Sequence, residues 1–333
     1  MISVEGLSSG PLFGLPLPEV WFGLMFALLA TFLFLDGFDF GAGAIYGLVD
    51  TDRQREAVLA AVGPFWDGNE VWLVVFGGAL FAAFPAAYAG LFSRHYLLMF
   101  AILGALIIRG LAPEMYEQRH DELWQRAWSV AFIAGSVLAP FFLGVFAGNW
   151  LVGNEGSLSL IGLVVGVTLT LLTVVSGAAF LRLKAQHDLP PAVSTYGQIA
   201  VVGYLLAVVV TLAVLAMRLP EGITALLDPL IVALVVASIV LAAGYILALR
   251  REQNLIALGI AGVLTYGLVT VVARIMYPAI DPATGATISD TIVSTLPLNL
   301  MTIGAGLLLP LVVVYFGVLY TAFSGPISPE EAY

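Results

Sequence analysis

Residues 20–48 read VWFGLMFALLATFLFLDGFDFGAGAIYGL, a stretch with no Lys, Arg or Glu and with two aspartates, Asp36 and Asp39. A helix needs about 20 apolar residues to cross the hydrocarbon core of a bilayer. Such a run must be helical, because an unpaired backbone group in lipid is too costly. The stretch therefore predicts a transmembrane helix that carries two carboxylates at membrane depth.

Eight further apolar runs follow, so the sequence predicts nine transmembrane helices in a single membrane domain of residues 1–333. The nine expected spans are 20–48, 66–92, 95–112, 127–149, 158–181, 196–217, 226–249, 254–276 and 295–323. The composition favours the same fold, because 61% of the residues are hydrophobic and 10% are charged, whereas a soluble domain carries about 25% charged residues. The predicted fold class is therefore all-α, a polytopic membrane protein.

The positions of the cations predict the orientation, because cytoplasmic loops carry an excess of Lys and Arg. With the N-terminus outside, nine of the 12 Lys and Arg residues fall on the cytoplasmic side and three on the outside. The nine are Arg53, Arg55, Arg109, Arg119, Arg126, Arg182, Lys184, Arg250 and Arg251, and the three are Arg94, Arg218 and Arg274. The odd number of spans then places the C-terminus in the cytoplasm.

The sequence also excludes several kinds of site. It contains no Cys, so disulfides and thiolate metal sites are excluded. It has no basic stripe for nucleic acid and no metal-ligand cluster or phosphate-binding loop. Buried haem usually takes an axial His or Met, but His95, His120 and His187 fall at span ends or in loops. We therefore expect this chain to bind no haem or metal through its own side chains.

Two pairs of carboxylates lie within the first two expected spans. Asp36 and Asp39 are three residues apart, as are Asp67 and Glu70, so each pair shares one face of a helix. Ionisable groups within a span are costly and usually functional, and neighbouring carboxylates in a low dielectric hold protons more tightly. We interpret the four as a proton relay near the cytoplasmic side. The alternative is that they cap helix ends or pair with arginines at the membrane interface.

Arg109 ends the third expected span, and Glu114 follows it closely. Two interpretations of Arg109 remain open. It is either a counter-ion for the carboxylates or an arginine that extends to the interface and anchors the span. Trp72 fits an interfacial aromatic belt at least as well as a cofactor contact.

Three motifs in the first part of the chain are distinctive. They are Leu35-Asp-Gly-Phe-Asp-Phe-Gly41, Trp66-Asp-Gly-Asn-Glu-Val-Trp-Leu73 and Gly77-Gly-Ala-Leu-Phe-Ala-Ala-Phe-Pro-Ala-Ala-Tyr88. They resemble subunit II of the cytochrome bd quinol oxidases. The resemblance continues at Pro297-Leu-Asn-Leu-Met-Thr302 and in the tail motif Phe323-Ser-Gly-Pro-Ile-Ser-Pro-Glu-Glu331, and it is strongest in residues 1–120.

This resemblance implies a role in a complex of a prokaryotic cell membrane that oxidises quinol and reduces dioxygen to water. Subunit I of the family carries haem b and haem d. Subunit II is not catalytic alone and packs against subunit I. In some members subunit II provides a cytoplasmic proton path, a route for oxygen or a site for a structural quinone, and some complexes include a small single-span accessory subunit.

The resemblance places the family's proton-path carboxylate at Asp67. The predicted proton path is therefore Asp67 with Asp36, Asp39 and Glu70. The predicted polar partners or quinone contacts are Asn69, Trp66, Trp72, Arg109 and Glu114.

Two functions of other classes remain open. Intramembrane carboxylates and Gly-broken helices are also typical of secondary transporters, but a transporter would carry an internal repeat and polar residues in both halves. The chain could also be a purely structural membrane partner. In that case Asp67→Asn should damage assembly and leave turnover unchanged.

Overall fold

The apolar runs fold into helices in the residues that the structure describes, which are 4–185, 188–219, 221–323 and 325–327. The structure is a computed structural model. His187 lies outside these ranges, as do Ser324 and residues 328–331 of the tail motif.

The elements are defined as follows. The helices are α1 (Val4–Ser9), α2 (Leu17–Tyr46), α3 (Asp52–Val62), α4 (Trp66–Ala83), α5 (Pro85–Arg94), α6 (Tyr96–Glu117), α7 (Glu122–Leu151), α8 (Leu160–Lys184), α9 (Ala192–Arg218), α10 (Pro229–Arg250), α11 (Asn254–Met276), α12 (Ile288–Thr291) and α13 (Thr295–Ala322). Two 3-10 helices span Leu12–Gly14 and Gly222–Leu227, and two short strands, β1 (Ala279–Asp281) and β2 (Ala286–Thr287), form an antiparallel hairpin.

Eight helices in the described ranges are long and apolar enough to cross a membrane, namely α2, α6, α7, α8, α9, α10, α11 and α13. Each corresponds to one expected span. The prediction of an all-α, polytopic membrane protein is therefore confirmed.

The second expected span, 66–92, is not one helix. It divides at Phe84 into α4 and α5, where Phe84 leaves the helical region with φ −131° and ψ 60°. Proline disfavours a helical conformation in the residue before it and lacks an N–H to donate, and Pro85 follows directly. The expectation of a continuous helix was therefore wrong, and the count of nine spans stays a prediction.

Helix α2 lies at the centre of the bundle, in contact with α4, α7, α8 and α11. It crosses α8 at Gly41 and Gly177, where a side chain on either glycine would clash with the backbone of the other helix. Small residues allow this close approach of two helices in a membrane. The crossing fixes the depth of the acidic segment of α2, which begins five residues before Gly41.

Helix α13 is held mainly at its two ends. In its most apolar stretch none of the residues is buried. Near its N-terminal end the buried Asn299 side chain donates to the carbonyls of Leu7 (2.8 Å) and Gly10 (2.9 Å) and accepts from Leu12 N (2.8 Å). These bonds tie the start of the chain to its last long helix.

Candidate functional site

Helix α2 places Asp36 and Asp39 one turn apart in the protein interior. Their exposed fractions are 0% and 2%. Carboxylates buried to this degree need charged or hydrogen-bonding partners, because burial of an uncompensated charge is costly. The other elements of the site supply those partners.

Arg109 is the cation of the site. Its Nη2 donates to Asp36 Oδ1 at 2.8 Å, and its exposed fraction is 2%. The guanidinium carbon lies 4.4 Å from the ring centre of Phe40 and 5.0 Å from that of Trp66. Gly135 of α7 admits the backbone of α6, because a Cβ there would lie 2.8 Å from Arg109 N. Arg109 is therefore the counter-ion of Asp36, and its side chain does not extend to the surface.

Asn69 is the partner of Asp39. Its Nδ2 donates to Asp39 Oδ2 at 2.9 Å, and its Oδ1 accepts from the hydroxyl of Tyr320 at 3.0 Å. Asn69 was predicted as a polar contact, whereas Tyr320 was not. Tyr320 stands in an ordinary apolar span 251 residues away, and no local pattern in the sequence marks it.

Several buried polar atoms around these pairs have no hydrogen-bond partner among the described residues. They are Asp36 Oδ2, Asp39 Oδ1, Arg109 Nη1, Trp72 Nε1 and Ser136 Oγ. Buried polar atoms in proteins are nearly always paired with protein or with ordered water. The interior around the pairs therefore offers donors and acceptors that bound water would satisfy. Ser136 is a second residue that sequence reasoning missed.

The second carboxylate pair occupies a different environment. Glu70 is half-buried in α4, within electrostatic range of Asp36, Arg109 and Asp67. Asp67 is exposed in the first turn of α4, where the helix N-terminus favours a negative charge. The structure therefore joins Asp36, Asp39 and Glu70 electrostatically and places Asp67 at the edge of the group.

The remaining predicted contacts are divided between the interior and the surface. Trp66 is half-buried and contacts the Arg109 guanidinium. Trp72 is buried, with its ring centre 5.4 Å from that of Phe316. Glu114 is exposed on α6, so the structure does not bring it into the buried group.

The arginines proposed as alternative partners have other partners. Arg53 pairs with Asp188 at 3.2 Å, and Arg55 pairs with Asp52 at 3.1 Å. Both pairs are solvent-accessible. Asp36 and Asp39 therefore bind Arg109 and Asn69 and not Arg53 or Arg55.

A separate apolar cavity of about 140 Å³ lies among helices α2 and α7–α11. Its lining includes Leu33, Leu169, Tyr204 and Leu264. None of the residues predicted as quinone contacts lines it. The cavity is therefore distinct from the carboxylate group.

A family model described as cytochrome bd terminal oxidase subunit II matches residues 17–323. The chain belongs to that family. The resemblance seen in the motifs is confirmed over nearly the whole sequence.

Two curated relatives agree with this assignment. The chain is 31% identical to the cytochrome bd ubiquinol oxidase subunit 2 of Bacillus subtilis (strain 168), over 95% of this chain and 98% of that protein. It is 25% identical to the cytochrome bd-I ubiquinol oxidase subunit 2 of Escherichia coli (strain K12), over 94% and 95%. The prediction that the chain is a subunit of an oxidoreductase complex is therefore confirmed.

A solved structure agrees with the fold. A chain in the structure of bd oxidase from Geobacillus thermodenitrificans superposes with a TM-score of 0.69, covering 92% of this chain and 98% of that chain. The sequence identity is 14%, so this likeness shows the fold alone.

Family membership implies haem in the complex and a subunit I partner. Of the two histidines that the structure describes, the buried one, His95, does not fit a haem site. His95 joins α5 to α6 and is packed against Phe146 with an exposed fraction of 1%. A side chain so enclosed leaves no space for a porphyrin. His120 is exposed in the loop between α6 and α7, and within the described ranges no group of His, Asp and Glu is suited to hold a metal ion.

Proposed function

We propose that this subunit packs against the haem-bearing subunit I and supplies protons from the cytoplasmic side for the reduction of dioxygen to water. The observation that carries the proposal is the buried group of Asp36, Asp39 and Arg109, in which one guanidinium pairs with Asp36 and lies within electrostatic range of a second carboxylate, Asp39. The oxidation and reduction steps belong to the complex, and this chain's share is the movement of protons.

The charge balance of the group supports this role. With all three side chains ionised, the group would carry one uncompensated negative charge in the interior. Burial of a net charge is costly, and two neighbouring carboxylates in a low dielectric favour a shared proton. A group that holds one exchangeable proton near neutral charge is suited to accept and release protons.

The positions of the other carboxylates suggest the direction of entry. Asp67 is exposed, Glu70 is half-buried and Asp36 is fully buried. Helices rise 1.5 Å per residue, so the side chains of Asp67 and Glu70 begin about 4.5 Å apart along α4. Water bound to the unpaired atoms of Asp36, Asp39 and Ser136 would complete the connection. We place the entry at Asp67.

A nine-span arrangement with the N-terminus outside is part of this proposal. Helix α4 has 18 residues, which gives about 27 Å of helix, close to the roughly 30 Å of the hydrocarbon core. Counting α4 and α5 as one interrupted span gives nine. Asp67 then lies on the same side as Arg53 and Arg55, the side that the positive-inside rule assigns to the cytoplasm.

One face of α4 supplies a candidate contact surface for subunit I. Asp67, Val71, Val74, Gly78 and Phe81 recur at helical spacing and are all exposed; we call them the α4 stripe. Asp67 lies at the end of the stripe where we place the proton entry, and the members beyond it are apolar or glycine. We propose that subunit I covers these members and leaves Asp67 open to the cytoplasm.

The central test is Asp67→Asn in the assembled complex, with Asp50→Asn as the matched control in an exposed loop. We expect Asp67→Asn to lower quinol oxidase turnover by about tenfold or more, since a positioned proton-transfer group typically contributes about 10²–10⁴-fold. Haem absorbance and subunit I content should stay at the wild-type level. Unchanged turnover with intact haem would remove the proton path, and loss of assembly without loss of specific turnover would favour the purely structural role.

The apolar cavity favours a second, separate role. We propose that it admits an apolar molecule of the reaction, a structural quinone or dioxygen, because Leu33, Leu169 and Leu264 give it an apolar wall. Solvent extraction of the purified complex, with Leu169→Trp to fill the cavity, tests this. A quinone in the wild-type extract that is absent from the variant supports a quinone site. The small accessory subunit and the prokaryotic cell membrane remain predictions.

A further inference from the structure

The C-terminal end of α13 reaches the carboxylate group through Tyr320. The Tyr320 hydroxyl donates to Asn69 Oδ1 at 3.0 Å, and Asn69 Nδ2 donates to Asp39 Oδ2 at 2.9 Å. A side-chain amide has one accepting end and one donating end. A donor on the oxygen of Asn69 therefore directs its nitrogen toward Asp39.

The ring of Tyr320 is held by Phe65, the residue directly before α4. Their ring centres lie 4.7 Å apart with an interplanar angle of 22°. Phe65 also contacts Phe323 at the end of α13, with ring centres 5.9 Å apart. These aromatic contacts join the start of α4, which carries Asn69, to the end of α13, which carries Tyr320.

Lys184, the single lysine of the sequence, closes the same junction. Its exposed fraction is 3%, and its Nζ lies 5.3 Å from the ring centre of Phe65. Nζ donates to the carbonyl of Phe323 and, at 3.5 Å, to that of Gly325. In the other direction Ile327 N donates to the Lys184 carbonyl at 2.8 Å. The end of α8 therefore binds the segment after α13 through both a side chain and the backbone.

This attachment matters because the most apolar stretch of α13 is not buried. The helix is held towards its ends, by Asn299 about 31 Å from Tyr320 along the helix and by the Trp21 Nε1 hydrogen bond to Thr302 Oγ1 at 2.9 Å. Closer to Tyr320, Phe316 contacts Trp72 with ring centres 5.4 Å apart. A rotation of α13 about its axis would carry the Tyr320 hydroxyl away from Asn69. The contacts of Lys184 and Phe65 oppose such a rotation at the end where the hydroxyl is needed.

We propose that Tyr320 is a positioning residue for the carboxylate group, that its hydroxyl orients the Asn69 amide toward Asp39, and that Lys184 holds Tyr320 in place by binding the carbonyls that follow α13. The hydrogen-bond arrangement stands on the geometry alone. Its effect on turnover rests on the proposed proton path.

The test measures the Asp39 carboxyl group directly, by infrared spectroscopy of the assembled complex. Aspartate labelled with ¹³C at the side-chain carboxyl identifies the aspartate bands, and Asp39→Asn assigns the band of Asp39. Tyr320→Phe keeps the ring on Phe65 and removes the hydroxyl. Tyr315→Phe is the matched control, because Tyr315 lies on the same helix with 59% of its surface exposed.

We expect Tyr320→Phe to shift the Asp39 band and Tyr315→Phe to leave it unchanged. Lys184→Met should shift the band in the same direction, and Lys184→Arg, which keeps a cationic donor, should restore the wild-type position. Turnover of Tyr320→Phe should fall by about two- to tenfold, the factor that corresponds to one hydrogen bond.

An Asp39 band at the wild-type position in Tyr320→Phe would overturn the proposal. A shifted band in Tyr320→Phe with a wild-type band in Lys184→Met would overturn the part that concerns Lys184. If Lys184→Met does not assemble, Ile327→Pro tests the same attachment, because it removes the N–H that donates to the Lys184 carbonyl; a wild-type band in that variant would overturn the part that concerns Lys184. If Asp67→Asn and Asp39→Asn both leave turnover unchanged, the proton path falls while the infrared result still decides the positioning role.

Discussion

Replacing Arg109 with methionine removes the cation from a site that holds two buried carboxylates. Breaking a buried ion pair from one side typically costs about 3–5 kcal/mol, because the remaining charge is uncompensated. The folded variant has a second route, which is to neutralise the remaining charge by binding a proton on Asp36. For a carboxyl group with an ordinary pKa near 3.9, that costs about 4 kcal/mol at pH 7. Both routes give a loss of stability of about 3–5 kcal/mol.

The two routes differ in their dependence on pH. If the folded variant binds a proton that the unfolded chain does not bind at pH 7, lowering the pH favours the folded state. The loss should then shrink by about 1.4 kcal/mol for each pH unit down to about pH 4. The pH dependence of the Arg109→Met defect therefore shows whether the group responds to an unbalanced charge by taking up a proton.

Thermal unfolding of the purified complex measures the defect. A loss of about 3–5 kcal/mol corresponds to a fall in Tm of roughly 6–20 °C, from about 2–4 °C per kcal/mol in domains of 150–250 residues. The double variant Asp36→Leu/Arg109→Met removes both charges and should recover at least half of the fall, because apolar replacements of a buried pair are often neutral. Arg126→Met, at an exposed arginine, should change stability by about 0.5 kcal/mol or less. A small, pH-independent change in Arg109→Met, or no recovery in the double variant, would refute the reasoning.

Three further predictions follow from the packing. Gly41→Ala should prevent assembly, because a Cβ there clashes with the Thr173 carbonyl of α8. Gly104→Ala is the control, because its Cβ meets no atom within 4 Å and the variant should assemble normally. The subunit yield after purification distinguishes the two variants. This chain has no native Cys, so a photoactivatable benzophenone can be attached to a single introduced thiol. On irradiation, the label on Val74→Cys of the α4 stripe should cross-link to subunit I, and the label on Val240→Cys of α10, which is similarly exposed, should not. Asn299→Leu removes three hydrogen bonds to the first residues of the chain, so limited proteolysis should cleave before α2 faster than in the wild type.

The spans were predictable because hydropathy over about 20 residues reports membrane depth regardless of tertiary contacts. The break of the second expected span at Phe84 was not predictable, although Pro85 is visible in the sequence. Pro113, Pro140 and Pro310 lie inside continuous helices of the same protein. A proline in a membrane helix is tolerated where neighbouring groups satisfy the freed carbonyl, and those neighbours are a property of the folded bundle.

The candidate site was likewise predictable only in part. The spacing of Asp36 and Asp39 on one helix face follows from helical periodicity. The role of Arg109 could not be decided, because its partner Asp36 is 73 residues away and an arginine at a span end serves equally well as an anchor. Tyr320 and Ser136 were missed because a hydroxyl in an apolar run is common. Its importance depends on which atom the fold places beside it.

The composition of the buried group argues for function over stability. A buried ion pair is often no more stable than apolar side chains of similar volume, and this group adds a second carboxylate and several buried polar atoms without a described partner. The bundle core around it consists mostly of apolar side chains and is closely packed at glycine crossings, so apolar side chains at these positions would have been less costly to bury. This arrangement is costly to bury, holds more acid than base and is connected by way of Glu70 to the exposed Asp67 carboxylate, where we place the proton entry. These are the features that proton uptake requires. The purely structural role explains the pairing of Asp36 with Arg109, but it gives no reason for the excess carboxylate at Asp39.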